Sequence, residues 1–365
     1  MKECLSIIQK ELPSVTEQDL FIPIKETRID SIDIVVIRVA LEKYFVHEVP
    51  DAVWYQFQTL WEVVEYFKGV RPINGLRGLP GPVELRERVE IRMPQMANGA
   101  LSENWLLKYL GDLHWQLLTK GLEQNSSQFK DEIGNRLYAT FIRIRYSLSS
   151  LGKFNENDKI DFKGAMEGFG SHTYLSNVVG LSGSNKIDAT LMTTFTFREK
   201  GNNEIMVKAA PLTTTNKVPR LSQTPLFLND YRLLRKNLLE DYSCSHGTFV
   251  LDEEEIFICD YKINPYYEIN GVGLLYFASY PAISDKCSND YCRQQWTSIN
   301  FFDEYHTVFR DVFYFANCNC NDTIIFRLNS IVQEENLLKT VSSLYRENDN
   351  QILAKIVSVK EKISV

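Results

Sequence analysis

Apolar positions are densest near the start of the chain, and their spacing then changes twice. Residues 26–45, ETRIDSIDIVVIRVALEKYF, carry Ile32, Ile34, Val35, Val36 and Ile37 almost without interruption and close on Leu41-Glu42-Lys43-Tyr44-Phe45. The β-branched run 34–37 by itself favours a strand. A Val49-Pro50-Asp51 turn follows, and then a second amphipathic run from Phe57 to Phe67. From Gly69 to Pro82 periodicity disappears into Gly and Pro, the signature of a linker. Beyond it the period shortens towards two. Strands are predicted at Val89–Met93, Leu137–Leu148, Lys159–Glu167, Thr173–Leu181 and Asp188–Arg198. A helix is predicted over Leu101–Leu118, with Leu106, Leu110, Leu113 and Leu117 on one stripe. Residues 211–250, broken by Pro211, Pro219 and Pro225, read as an irregular connection. Strand Glu255–Ile263, helix Gly273–Asp285 and strands Thr297–Phe302, His306–Ala316, Thr323–Ile331 and Ile352–Val359 complete the pattern.

The second half echoes the first. Asn157-Asp158-Lys159-Ile160-Asp161-Phe162 returns as Asn321-Asp322-Thr323-Ile324-Ile325-Phe326, each launching a strand from an Asn-Asp turn. Each copy lies downstream of an arginine leading an aromatic strand, Arg136 and Arg310. With the repeated strand–helix–strands order, this predicts two similar α+β units.

Charge sharpens the division. Residues 1–69 hold twelve Asp/Glu against seven Lys/Arg, a net of −5 within a whole-chain charge of −7. A compact acidic module suits docking onto basic patches of enzyme partners, not nucleic acid. No apolar stretch approaches the ~18–20 residues of a membrane span, and the start MKECLSIIQKELP lacks the form of a signal peptide. Seven cysteines, an odd number without metal-ligand spacing, fit a reduced, cytoplasmic protein. Gly271-Val272-Gly273 lacks a phosphate-loop pattern.

Two resemblances add a function. Asp30-Ser31-Ile32, the helical tail to Phe45, the Val-Pro-Asp turn and Trp61–Phe67 resemble an acyl carrier protein over roughly the first 70 residues, with Ile32 in place of the usual leucine. The resemblance decides for a helix over 34–37. Its surplus apolar residues then serve as a docking face as well as a core face. It implies that Ser31 carries 4′-phosphopantetheine, placed by a phosphopantetheinyl transferase. A phosphodiester is well tolerated at the positive end of a helix. The competing reading makes Ser31 an ordinary N-cap.

The blocks Met93-Pro94-Gln95-Met96, Gly99 to Lys108, Gly111 to Trp115, Arg136 to Phe141, Asn270 to Ala278 and Arg310 to Asn317 resemble the leinamycin-type bifunctional acyltransferase/decarboxylase family of polyketide pathways over roughly residues 85–335. That family implies a double hot-dog fold and a coenzyme A thioester substrate. A methylmalonyl thioester loses carbon dioxide, and its propionyl group is loaded onto a carrier among polyketide synthase components. The expected architecture is multidomain. A small all-α carrier bundle (1–69) and linker (70–82) precede an α+β double hot-dog, with its first unit at 83–210 and the connection and second unit at 211–365.

Decarboxylation leaves an enolate, which needs preorganised donors. Ser102 and the neighbouring backbone amides at the start of the 101–118 helix are candidates, with a simple cap as the alternative. Asn270 and Asn317 sit in family blocks where a carboxamide can orient a thioester carbonyl, and Asn270-Gly271 equally closes a turn. The family has been described as using a tyrosine for self-acylation, and Tyr138 best matches it. His114 and His172 are candidates on spacing alone. A hot-dog thioesterase or dehydratase acting on carrier-bound chains, or a non-catalytic acyl-binding module, is the alternative function.

Overall fold

The structure, a computed structural model, describes residues 2–45, 47, 49–70, 83–213, 216–251, 254–295 and 304–363. The expected linker beyond Val70 and the expected strand Thr297–Phe302 lie outside the described residues.

Four N-terminal helices come first, α1 (Lys2–Glu11), α2 (Ser31–Phe45), α3 (Asp51–Trp54) and α4 (Leu60–Lys68). The β-branched run of α2 is helical because both its sides are buried. Ile37, Leu41 and Phe45 pack with α1 and α4 in one cluster. Ile32, Val35 and Val36 face a second cluster formed with the body of the protein. Thr59 and Glu62 close a reciprocal capping box on α4.

The body begins with β1 (Val83–Glu90), β2 (Met96–Ala97), β3 (Ala100–Leu101) and the long helix α5 (Glu103–Leu122). Next come β4 (Tyr138–Leu148), β5 (Lys159–Phe169), β6 (Thr173–Ser182), β7 (Asn185–Arg198) and β8 (Met206–Lys208). The segment expected to be irregular contains a helix, α6 (Leu226–Arg235), and a hairpin, β9 (Asp241–Cys244) and β10 (Gly247–Val250). Then follow β11 (Phe257–Lys262), α7 (Pro265–Glu268), α8 (Ser279–Gln295), β12 (Tyr305–Tyr314), β13 (Thr323–Glu334), β14 (Leu337–Arg346) and β15 (Gln351–Lys362). The expected helix from Gly273 starts later, at Ser279, because residues 270–274 fold into a turn. The expected strand Val89–Met93 ends instead at Glu90, and Met93–Gln95 form a single 3₁₀ turn.

Eleven strands make one antiparallel sheet in the order β1-β5-β6-β7-β4-β12-β15-β14-β13-β11, with β8 beside β7. The order reads the same from either end. Each half contributes an outer strand, a helix, and then four more strands. β4 and β12 pair at the centre, Arg310 opposite Tyr146 and Phe313 opposite Arg143. The echo at 157–162 and 321–326 falls on equivalent places. Asp158 accepts from the amide of Asn155 (2.8 Å) as Asp322 accepts from that of Asn319 (2.6 Å), just before β5 and β13.

Period-two alternation gives the sheet two apolar faces. On one, α5 packs on β1, β5, β6 and β7, and α8 on β11, β13, β14 and β15. On the other lie α6, the β9–β10 hairpin and the free side of α2. Buried charges tie both faces. Arg143 donates to Asp311 (3.0 and 2.7 Å) and Asp230 (2.9 Å) beneath α6. Arg310 bridges Glu103 of α5 and Asp285 of α8, with contacts of 2.8–2.9 Å.

Candidate active site

Asp30, not Ser31, caps α2. Its Oδ1 accepts from the amides of Ile32 (2.7 Å) and Asp33 (2.8 Å), and Asp33 Oδ2 accepts in return from the amide of Asp30 (3.1 Å). Capping is thus complete without Ser31, which is exposed as the first helical residue, and its hydroxyl has no hydrogen-bond partner among the described residues.

That hydroxyl borders a cavity of about 660 Å³ between the N-terminal helices and the sheet. The size falls within the ~300–1,000 Å³ of small-molecule sites. Its walls come from α2 (Ile34, Val35), β4 (Thr140 to Ile142), the turn at Ser171-His172, β7 (Thr194, Thr196), β8, α6 (Tyr231, Arg235) and the residues ending β12 (Tyr314 to Asn317). Both halves of the sheet therefore contribute.

The helices are held over the cavity by buried ion pairs. Asp33 accepts from Arg232 (3.1 and 2.8 Å) and from Lys236 at the end of α6. Arg38 donates to Glu42 (2.9 Å), Asp51 (2.5 Å) and Ser171 (3.3 Å). Val35 fills the space at Gly170, where an added Cβ would overlap it and where φ is +64°.

Among the described residues, two buried polar atoms in the cavity wall lack partners, His172 Nε2 and Thr194 Oγ1. Such atoms are uncommon and mark a place where a ligand or water belongs. His172 Nδ1 meets Ser171 Oγ at 3.2 Å. Burial, helped by Lys208, Arg38 and Arg220, pushes the imidazole down to about 3, so it is neutral. Thr140 and Thr196 share a hydrogen bond of 2.7 Å. Lys208 pairs with Thr196 across β7–β8. Its amine is pushed down to about 7, first by burial and then by Arg235, against the pull of Asp30 and Asp33.

The expected site residues fall in three places. Asn317 lines the cavity, and its Oδ1 accepts from the amides of Leu275 (3.2 Å) and Cys318 (2.8 Å). Tyr138 is not among the cavity's lining residues. Its ring sits near Arg136 (5.4 Å) and Arg198 (4.9 Å). Arg198 in turn donates to the carbonyl of Val272. Asn270 closes that same turn, its Oδ1 accepting from Val272 and Leu274 (both 3.0 Å), so the turn reading describes it. Tyr138, the 270–274 turn and Asn317 thus gather at one end of the β4–β12 pair.

Ser102 is elsewhere. It caps α5 by accepting from the amide of Trp105 (3.3 Å), and it lines a separate cavity of about 340 Å³ with Glu103, Asp285 and Lys360. His114 is fully buried and satisfied by Ser176 (2.7 Å) and Thr193 (2.8 Å), a structural arrangement.

Sequence reasoning missed Thr194, Lys208 and Arg235. One signal was present. Arg232, Arg235 and Lys236 make a basic face at helical spacing, matching the acidic N-terminal segment in sign.

No family model matches the chain, and no curated protein matches its sequence. Solved structures do match. The 12:0-ACP thioesterase from Umbellularia californica superposes with a TM-score of 0.52 at 10% identity, over 77% of this chain and 95% of that one. A protein assigned as an oleoyl thioesterase from Lactobacillus plantarum gives 0.54 at 9% identity, over 78% and 98%. The large antiparallel sheet with its packed helices is the hot-dog fold that these structures share.

Proposed function

We propose that the protein is an enzyme that processes acyl thioesters held on its own phosphopantetheine arm. In this reading residues 1–69 are a carrier module, 70–82 its linker, and 83–210 and 211–365 the units of a double hot-dog. The palindromic strand order supports the doubling. One observation carries the function. The free Ser31 hydroxyl borders a cavity whose wall holds unpartnered buried polar atoms.

Attachment of the arm is a balanced step. Ser31 Oγ attacks the diphosphate of coenzyme A and forms a new P–O bond. The old P–O bond breaks to release 3′,5′-ADP, and the serine proton leaves to solvent. The acyl thioester then reaches into the cavity. In this reading the Thr194 hydroxyl and the side-chain N–H of Asn317 donate to its carbonyl, where charge develops during attack. For hydrolysis, the reaction named for both structural neighbours, water adds to the carbonyl, the C–S bond breaks, and the proton passes to the released thiolate.

A second reading is decarboxylation of a malonyl-type arm, in which the bond to the carboxylate breaks to release carbon dioxide, the enolate takes a proton from water, and the acyl group stays on the arm; this needs no base. It is favoured by the fact that Asp30 is the only carboxylate among the cavity's described residues, and Asp30 is committed as a cap.

Intact-protein mass spectrometry separates these. A phosphopantetheinyl transferase with acyl-coenzyme A should add one acyl arm to the wild type and none to Ser31→Ala. The acyl mass should then fall to the free thiol through hydrolysis. Loss of carbon dioxide alone from a methylmalonyl arm selects the second reading. An arm added to Ser31→Ala, or an acyl arm no shorter-lived than in denatured protein, overturns the proposal.

A further inference from the structure

We propose that Lys208 and Arg235 form a subsite for the 4′-phosphate of a pantetheine arm, whether that arm is carried on Ser31 or belongs to a free ligand. The covalent case rests on the function proposed above.

Lys208 lines the cavity that Ser31 borders, and no hydrogen bond or ion pair engages its ammonium among the described residues. Arg235, the last residue of α6, lines the same cavity and has one carboxylate nearby, Asp30 Oδ2 at 3.9 Å. Of the two cations only Arg235 thus has a carboxylate within 4 Å among the described residues, and that carboxylate also caps α2 through its other oxygen. Asp33 faces Lys208 as well, but Arg232 and Lys236 already occupy it. Arg38 is matched by Glu42 and Asp51.

The place beside Ser31 is therefore short of negative charge. A phosphate ester there meets the amino end of α2 as well, which favours an anion. The unpartnered His172 Nε2 lies in the same cavity, open to the rest of the arm. It is neutral and does not compete for the phosphate.

The charged groups facing Lys208 are Asp30 and Asp33 from α2 and Arg235 from α6. His172, Lys25, Arg38, Tyr55, Tyr231 and Tyr314 complete the titratable set around the cavity. A bound phosphate would raise the lysine from its present value of about 7. An opposite charge within reach is worth about one to three pH units.

A phosphodiester does not itself titrate near neutrality, so its phosphorus resonance reports its neighbours. In phosphopantetheinylated wild type the ³¹P shift should move with pH, with a midpoint above 7, and this movement should vanish in Lys208→Gln. In Ser31→Ala protein, 4′-phosphopantetheine should bind at least about tenfold more tightly than pantetheine. The preference should fall to within about twofold in Arg235→Gln, a half-exposed helix end whose replacement spares the core. A response in the first arm alone assigns the subsite to the covalent arm, and in the second alone to a free ligand. A flat ³¹P titration together with equal binding of the two probes overturns the inference. Absence of any modification at Ser31 would sink the proposed function, and the second arm would still decide the subsite.

Discussion

Asp33 offers a direct test of how the N-terminal helices are held over the cavity. Its carboxylate is wholly buried between Arg232, whose side chain is 9% exposed, and Lys236, whose side chain is 26% exposed. Removing one partner of a buried ion pair costs about 3–5 kcal/mol. For Asp33→Asn the expected loss is smaller. The amide oxygen still accepts a hydrogen bond from Arg232, and Lys236 turns to water, which leaves about 2–3 kcal/mol. At tenfold per ~1.4 kcal/mol, separation of α2 from α6 becomes about 30- to 150-fold more frequent. Hydrogen exchange read peptide by peptide should show this acceleration in residues 31–45 and 226–236. Residues 159–182, in β5 and β6, should be unchanged. The double variant Asp33→Leu/Arg232→Met should recover part of the loss, because an apolar pair removes both desolvated charges while the bond from the Asp30 amide stays lost. Acceleration of less than about threefold in Asp33→Asn, or no recovery in the double variant, would refute this account of docking.

Tyr138→Phe should leave both stability and acyl processing near wild type, since the ring lies outside the cavity between two arginines. A folded variant that loses acyl transfer in a radiolabel assay would restore the tyrosine to the chemistry. Burial holds His114 and His172 neutral, with both pushed down to about 3, below the unfolded value of about 6.5. The unfolded chain therefore takes up protons first as pH falls. Stability from this source is complete above about pH 6.5 and is lost progressively towards pH 3, reaching about 2 kcal/mol per histidine at pH 5. Urea midpoints that do not drop between pH 7.5 and pH 5 would contradict this. Gly111→Ala should destabilise the fold by about 1–3 kcal/mol despite the better helix residue, because the new methyl would overlap the Phe277 ring. An unchanged melting temperature would show that Phe277 yields freely.

Much of the sheet was legible because alternation is strong in β4, β5, β6 and β7, whose predicted spans differ from the observed ones by a few residues at most. The β-branched stretch of α2 was legible only through its likeness to a known helix, since local preference points to a strand. Its docking face follows from the same excess of apolar residues. β14 was missed. Its Lys339, Thr340, Ser342 and Ser343 hide an interior strand, with Ser342 and Ser343 fully buried between β13 and β15. α6 was missed because ten residues in a proline-broken segment give little periodic signal. The cavity itself could not be read. Ser31, His172, Thr194, Lys208 and Asn317 come from distant parts of the chain, and only the sheet's closure and the placement of α2 gather them.

The central β4–β12 pairing has a consequence for how the chain reaches this form. Arg143 and Asp311, which meet across it, are 168 residues apart in sequence. During synthesis the first half can pair β1, β5, β6, β7 and β4 among themselves long before β12 exists. Until then β4 is an open edge with unpaired backbone groups, and Phe141 lacks the Phe277 ring packed against it. Open apolar edges recruit other chains. The seam is thus the moment of greatest exposure in the molecule's history, and a long-range closure of this kind is slow. A nascent or truncated chain that stops before residue 305 would present that edge permanently, and self-association through β4 is the expected fate of such fragments.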